Sequence, residues 1–304
     1  MKILSKLCIL TTIVSGADPD AIDSDVRMPF RFGSREYSGS FAVPIHLRIA
    51  ETNRIVSMYA GIVGVPSLQI VESHARDLRT RADRVILGEE LVIPVDLQVT
   101  ESRPRITMSM DPRSQFMHLV GSLMIIPENA NGGHIILNVT NPRSHVYRGE
   151  LLQTRVFDDA NEWTIGANFS AYEIASDTVR VVLNPFVPSS FIPAVVYNRI
   201  YRILQARGTF QSHAVVTLEE GTDIDLLPVL YLSLENTAGN SFTLAIPPSD
   251  YLVPTNQPNQ YHLTLSADST GRTFILGRNF LDKVALHLDP INRLIGFGDP
   301  HVEL

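Results

Sequence analysis

The chain has 304 residues, of which 44% are hydrophobic and 19% are charged, and its formal net charge is −7. This apolar content is enough to bury a large core in one or two domains, and the low charged fraction excludes intrinsic disorder for the bulk of the chain. The acidic charge argues against nucleic acid and against an anionic membrane surface as partners.

The N-terminus is typical of a secretory signal peptide. Lys2 and Lys6 flank the start of an apolar run over 7–14, and small residues follow at 15–17. We therefore expect a signal peptide over residues 1–16 and a protein that is secreted or resides in the lumen of the secretory pathway; a buried N-terminal strand is the alternative. Removal of this segment takes away two lysines and no acid, which moves the net charge from −7 to −9. The run is too short to span a bilayer, and no later segment has the roughly 18 apolar residues that a spanning helix needs.

Few residues point to covalent or metal chemistry. Cys8 is the only cysteine and lies inside the expected signal peptide, so the mature chain is expected to have neither a disulfide nor a thiol. Asn138 and Asn168 each begin an Asn-x-Ser/Thr tripeptide and are candidate glycosylation sites. The nine histidines show no metal-ligand spacing, and the sequence has neither a nucleophile elbow nor a phosphate-binding loop, so we expect no metal and no cofactor.

Alternating apolar and polar residues predict the first strands. The pattern runs through Phe41–Ile49 and again through Leu91–Val99, which puts one face of each strand on a core. The two segments share Pro, Leu and Glu at matching positions, which is a weak internal repeat. Further strands are predicted, in chain order, at Ile135–Val139, Val179–Leu183, Val229–Leu234, Phe242–Ile246, His262–Ser266, Val284–Leu288 and Leu294–Phe297.

Two segments have helical character. Glu72–Asp83 is charged and contains neither proline nor glycine. Ala194–Gln205 has apolar residues at helical spacing and follows Pro193, which the first turn of a helix tolerates. Many strands with few helices predict a mainly β fold.

The C-terminal third resembles the second lobe of pepsin-like aspartic peptidases. Several short segments appear in the family's order, and together they are specific although none is specific alone. They are Trp163-Thr164-Ile165, Val179–Leu183, Ile192-Pro193 with the helix after it, Leu227–Leu232, Leu244–Leu252, Ile275-Leu276-Gly277, Phe280-Leu281, His287-Leu288-Asp289 and Ile295-Gly296-Phe297. The last four are similar to the family's closing pattern, "ILG-x-x-F-[IL]…FD…[IV]GFA".

The resemblance continues more weakly toward the N-terminus. Gly133–Leu151 is similar to the family's inter-lobe segment, and Val85–Glu89 is similar to the strand that follows its flap. The resemblance therefore implies a bilobal pepsin-like aspartic peptidase fold, with a shortened N-terminal lobe over residues 37–122. Residues 123–304 would supply the inter-lobe strands and the C-terminal lobe.

The family's chemistry needs two aspartates, each in an Asp-Thr-Gly turn, that share a proton and hold one water. The sequence contains no Asp-Thr-Gly and no Asp-Ser-Gly. The resemblance places the second aspartate at Asn184, which cannot ionise, and Pro185-Phe186-Val187 stands in place of the rest of the turn.

The first catalytic position has two candidates. Tyr59 is favoured because Gly61 is retained and enough chain remains for the later strands of the first lobe. The other is Asp111, which keeps the carboxylate but is followed by Pro112, so a turn role is its simpler interpretation. The flap tyrosine of the family would fall near Leu78.

The sequence is compatible with three functions. The favoured one is a catalytically degenerate pseudo-peptidase whose cleft binds a polypeptide or protein ligand. The second is an active aspartic endopeptidase that uses Asp111, including a homodimer that pairs two copies of it. The third is a secreted β-rich binding or structural protein unrelated to peptidases. The sequence does not decide the ligand or the oligomeric state.

Overall fold

The computed structural model describes residues 25–32, 41–49, 54–63, 81–87, 91–98, 106–129, 132–146, 150–157, 162–171, 174–268 and 273–299. This part of the chain is mainly β, as predicted. It divides into two compact units, which we call unit 1 (Met1–Pro142) and unit 2 (Arg143–Leu304). None of the helices in the described ranges is long and apolar enough to cross a membrane.

Unit 1 is built on a sheet with a buried centre. Its described elements are β1 (Val26–Phe32), β2 (Phe41–Ile49), β3 (Arg54–Val63), β4 (Arg81–Leu87), β5 (Leu91–Gln98), β6 (Ile106–Ser109), α1 (Gln115–Val120), β7 (Leu123–Asn129) and β8 (Gly132–Leu137). The strand order is β5-β4-β2-β1-β8-β7, and β3 pairs with both β2 and β6. Val26, Met28 and Phe30 are buried while the residues between them are exposed, so β1 places one face on the core.

Unit 2 has more elements. They are β9 (Leu152–Arg155), β10 (Thr164–Ala171), β11 (Ile174–Leu183), β12 (Ser190–Pro193), α2 (Ala194–Gln205), β13 (Gly208–Ser212), β14 (Val215–Leu218), β15 (Leu230–Glu235), β16 (Ser241–Ile246), α3 (Pro248–Tyr251), β17 (Leu252–Pro254), β18 (Gln260–Leu263), β19 (Leu265–Asp268), β20 (Thr273–Leu276), α4 (Arg278–Leu281), β21 (Ala285–Asp289) and β22 (Leu294–Gly298). The main sheet has the order β16-β15-β10-β11-β20-β12-β19, and β13-β14-β18-β17 forms a second sheet. β22 pairs with both β21 and β9.

The two units repeat one strand plan. In unit 1, β3 is antiparallel to β2 and parallel to β6, and α1 and the hairpin β7–β8 follow. In unit 2, β11 is antiparallel to β10 and parallel to β20, and α4 and the hairpin β21–β22 follow. The hairpin β4–β5 flanks β2 as β15–β16 flanks β10. The sequence similarity between β2 and β5 lies within unit 1 and therefore does not reveal this repeat, which relates unit 1 to unit 2.

Most predicted elements are confirmed, with ends that shift by a few residues. α2 has the predicted bounds and buries Val196, Ile200 and Leu204 on one face. The predicted strand over His262–Ser266 is divided into β18 and β19, because the first half pairs with β14 and β17 while the second pairs with β12.

The predicted helix over Glu72–Asp83 is wrong where the structure describes it. Residues 81–83 begin β4, and residues 72–80 lie outside the described ranges. β4 has a strand partner on each side, β2 and β5, and Val85 and Leu87 are buried while Ile86 between them is only half-buried. Pairing with both neighbours therefore overrides the helical character of the local sequence.

The predicted lobe boundary between Ser122 and Leu123 comes from the resemblance and stays a prediction. Contacts within the chain divide it later, between Pro142 and Arg143.

Tyr251 ties the end of α3 to the segment before β15. Its side chain is fully buried, and its hydroxyl donates to Pro228 O at 2.7 Å. Burial raises the pKa of this phenol, so it stays a neutral donor.

We expect Tyr251→Phe to lower the free energy of unfolding by about 1–3 kcal/mol, because the Pro228 carbonyl loses its partner. Urea unfolding measures the loss, and Tyr231→Phe, at an exposed position, is the control. An equal effect of both variants would contradict the buried hydrogen bond.

Candidate functional site

The candidate site of unit 2 lies where the chain crosses the end of β20. β11 and β12 are consecutive in the chain, yet they lie on either side of β20: β11 is parallel to it and β12 is antiparallel to it. Residues 184–189 connect them and must therefore pass over the C-terminal end of β20. We call this connection the crossing loop.

Backbone hydrogen bonds hold the crossing loop in place. Asn184 N donates to Leu276 O at 2.9 Å, and Arg278 N donates to Val187 O at 2.8 Å. The loop is thus bonded on both sides of Gly277. Its start and its middle have fixed positions relative to β20.

Gly277 is the point of closest approach. A Cβ at this position would lie 2.2 Å from Ser189 O and 3.0 Å from Val187 O. The φ angle of Gly277 is −92°, which any residue can adopt, so glycine is needed here for space. The crossing loop that passes over Gly277 therefore explains why the Ile-Leu-Gly segment has a glycine at this position.

Ser190, the buried first residue of β12 directly after the crossing loop, begins a chain of polar contacts. Its Oγ accepts a hydrogen bond from Gly277 N at 3.0 Å and donates to Asn279 Oδ1 at 2.7 Å. Asn279 Nδ2 donates to Asp250 O at 3.2 Å, and the Asp250 carboxylate pairs with Lys283. These contacts satisfy the polar groups beneath the loop and anchor it to α3 and α4.

Asn184 occupies the position that the resemblance gives to the second catalytic aspartate. It directly follows β11 and is half-buried. Its Oδ1 accepts a hydrogen bond from Phe186 N at 3.1 Å, so the side chain caps its own turn. A carboxamide neither gains nor loses a proton at any ordinary pH, so this position cannot serve as a general acid or base.

Asp282, just after α4, is a titratable group that the sequence analysis missed. Burial raises the pKa of this carboxyl to about 7, against the pull of Arg278 and Lys283. Its Oδ2 lies 3.4 Å from Arg278 Nε, an i,i+4 pair. The spacing to Arg278 was visible in the sequence, but the burial that moves the pKa was not. We interpret the pair as the contact that closes α4.

Tyr59 lies within β3, opposite Pro44 of β2, and is followed by further strand residues. The repeated strand plan identifies a different equivalent of Asn184. Val63, the last residue of β3, pairs with the last residue of β6, just as Leu183 pairs with Leu276 at the ends of β11 and β20. The equivalent of Asn184 is then Gly64, which has no ionisable side chain and lies outside the described residues.

Asp111 lies in the turn that leads from β6 into α1. Its Oδ1 accepts a hydrogen bond from Arg113 N at 2.8 Å, and its carbonyl oxygen accepts one from Ser114 N at 2.8 Å. In the repeated plan Asp111 corresponds to Arg278, the second residue after the parallel strand, and not to Asn184. The carboxylate therefore acts as a turn cap in this structure.

Three further positions were predicted from the sequence: Leu78, Asn138 and Asn168. Leu78 lies outside the described ranges. Asn138 is half-buried in a left-handed conformation with φ 52°, whereas Asn168 is exposed on β10. Glycosylation of either asparagine stays a prediction.

Within the described ranges, no group of three or more His, Cys, Asp or Glu side chains is placed to hold a metal ion. No protein-family model matches the chain, and no curated protein matches it.

Proposed function

We propose that the chain is a secreted protein with the bilobal fold of pepsin-like aspartic peptidases, that it does not hydrolyse peptide bonds, and that it binds a polypeptide or protein partner in its cleft. The fold part of the proposal is supported by the repeated strand plan and by the crossing loop over Gly277. Secretion is supported by the basic and apolar N-terminal segment.

The observation that carries the loss of catalysis is the capped turn at Asn184. Its side-chain oxygen accepts a hydrogen bond from Phe186 N, and the group cannot ionise. The two-carboxylate mechanism needs one ionised and one protonated carboxyl on the same water. Neither Asn184 nor its equivalent Gly64 can supply one, so the chemistry fails at both positions.

Retention of the supporting scaffold argues for binding. The hydrogen bond from Gly277 N to Ser190 Oγ and the close approach at Gly277 hold the crossing loop against β20, although the loop holds no catalytic carboxylate. A fixed loop that carries half-buried Phe186 in place of glycine is suited to contact an apolar side chain of a bound polypeptide.

An active peptidase that uses Asp111 is the competing proposal. The hydrogen bond from Arg113 N to Asp111 Oδ1 weighs against it, because that carboxylate already caps a local turn. The homodimer with two Asp111 side chains would require the same carboxylate to leave this turn.

Cleavage of a denatured polypeptide tests the proposal directly. We expect no turnover that a transition-state-like aspartic peptidase inhibitor blocks, at any pH from about 3 to 7, where a carboxyl pair would share a proton. Asn184→Asp should remain inactive as well, because Gly64 offers no second carboxylate. Inhibitor-sensitive turnover by the unmodified chain that Asp111→Ala abolishes would establish the competing proposal.

Binding needs its own measurement. Selection from a random-sequence peptide library on the folded, full-length chain is expected to recover peptides that bind and stay intact, as judged by mass spectrometry. The same inhibitor should compete with them if they occupy the cleft. A folded chain that selects no peptide above the background of the support would contradict the binding part of the proposal.

A further inference from the structure

β21 carries a histidine in the middle of a fully buried strand. All residues of Ala285–Asp289 are buried, and His287 is only 2% exposed. Within the described part of the chain, neither ring nitrogen of His287 has a hydrogen-bond partner. Buried imidazoles ordinarily have such partners, so this one requires an explanation.

The residues across the hairpin explain the missing partner. His287 is paired with Gly296 of β22, which has no side chain. A Cβ on Gly296 would lie 3.0 Å from Leu151 Cγ, so Leu151 fills the space above the glycine. Directly opposed residues of an antiparallel pair point to the same face, so the imidazole shares its face with this apolar cover.

Two titratable groups act on His287 within the described residues. Beside burial, which lowers the pKa of the imidazole most, Asp289, two positions along the same strand, raises this pKa and His145 lowers it. The Asp289 carboxylate accepts hydrogen bonds from Asn292 N at 2.8 Å and from Asn292 Nδ2 at 2.7 Å. Its oxygens are thus engaged by the hairpin turn. Burial is the largest influence, and it lowers the pKa of His287 to about 4.

We propose that the hairpin β21–β22 is an acid-sensitive element of unit 2, in which protonation of the buried His287 imidazole loosens the hairpin from the residues that cover it. An imidazolium has two N–H donors, and within the described residues neither ring nitrogen of His287 has a hydrogen-bond partner in the folded arrangement. The charged ring must therefore admit water or move toward Asp289. Either change disturbs the packing of the buried strand β21.

The direction of the effect follows from the two protonation equilibria. The pKa of His287 is lower in the folded chain than its ordinary value of 6.5. The unfolded chain therefore takes up the proton first as pH falls. The stability that the neutral imidazole contributes is complete above about pH 6.5, is lost progressively down to about pH 4, and does not change further below that.

The acid response of the hairpin β21–β22 is expected whether or not the chain binds a polypeptide. It has a functional consequence nonetheless. A hairpin that loosens in acid suits a protein that is folded near neutral pH and partly unfolds on acidification. A peptidase that needs a proton shared between two carboxylates would be poorly served by it.

The test compares the full-length chain with His287→Leu, a variant that cannot titrate and suits an apolar site. Urea unfolding between pH 7 and pH 4 gives the equilibrium constant for unfolding of each chain. Relative to the variant, the unfolding equilibrium constant of the unmodified chain should rise about 20-fold from pH 7 to pH 5 and about 100-fold by pH 4, which means a loss of stability. His213→Gln, which replaces an exposed histidine, should show the same pH dependence of unfolding as the unmodified chain.

The comparison also removes the opposing effect of Asp282. Because burial raises the pKa of that carboxyl, its protonation at lower pH favours the folded state. Asp282 is present in both chains, so its contribution cancels in the ratio of their unfolding equilibrium constants. A ratio that stays constant from pH 7 to pH 4 would overturn the proposal.

A second measurement holds even if His287→Leu does not fold. NMR of the unmodified chain with isotope-labelled histidine follows each ring through the same pH range, with His287→Gln used for assignment. A His287 ring that stays neutral until about pH 4, together with faster amide exchange of Leu286 and Leu288 once it is protonated, supports the proposal. Ordinary titration near pH 6.5, or amide exchange that does not change, would refute it.

Discussion

Replacement of Gly277 by alanine is expected to destabilise unit 2 by about 3 kcal/mol or more, near the upper end for overpacked sites. The new methyl group would lie 2.2 Å from Ser189 O and 2.6 Å from Ser189 C. Both atoms are backbone, so no side-chain rotation relieves the contact. The crossing loop must instead move away from β20 and give up the bonds that hold it there, including the one from Arg278 N to Val187 O.

Gly221→Ala is the control for this prediction. Gly221 has φ +83°, and no atom would lie within 4 Å of an added Cβ. That variant should lose only about 1–2 kcal/mol, the cost of a left-handed non-glycine residue. Urea unfolding measures both. If Gly277→Ala unfolds at the same urea concentration as the unmodified chain, the crossing loop does not pass over β20 as described.

Truncation of Phe274 should have a large effect on the core of unit 2. Phe274 lies in β20, is fully buried, and has its ring centroid 5.3 Å from that of Phe169 in β10. Phe274→Ala removes a buried ring and leaves a cavity, so we expect a loss of about 3–5 kcal/mol in the free energy of unfolding. β20 lies between β11 and β12, and a loss of this size should also loosen the crossing loop.

Phe157→Ala is the matched control, because Phe157 is 40% exposed. Its truncation should cost clearly less than that of Phe274, since a partly exposed ring loses little burial. Thermal unfolding gives the two losses, and amide exchange at Asn184 reports on the loop. Equal losses in the two variants would mean that Phe274 is not a core residue of unit 2.

The catalytic positions that the resemblance implies stay predictions. Asn184 could be proposed from sequence, because Pro193 and the helix after it give a position to count back from. Its equivalent in unit 1 could not be found in this way. Tyr59 was favoured because a glycine follows it closely, yet Tyr59 lies inside β3, and the pairing of Val63 with Ser109 identifies Gly64 instead. Register between strands that are distant in the chain has no local signature, so only the pairing reveals it.

Elements with local signals are specified by their own residues. The apolar and polar alternation of β2 and the Pro193 start of α2 specify those segments without help from the rest of the chain, because period and backbone restriction act over a few residues. Tertiary packing governs how the elements combine. It turned residues 81–83 into strand, because β2 and β5 pair with them, and it placed β11 and β12 on either side of β20. It also buried His287 opposite a glycine. The physical reason is the same in each case: burial and strand pairing depend on residues far away in the chain, and the local sequence does not record them.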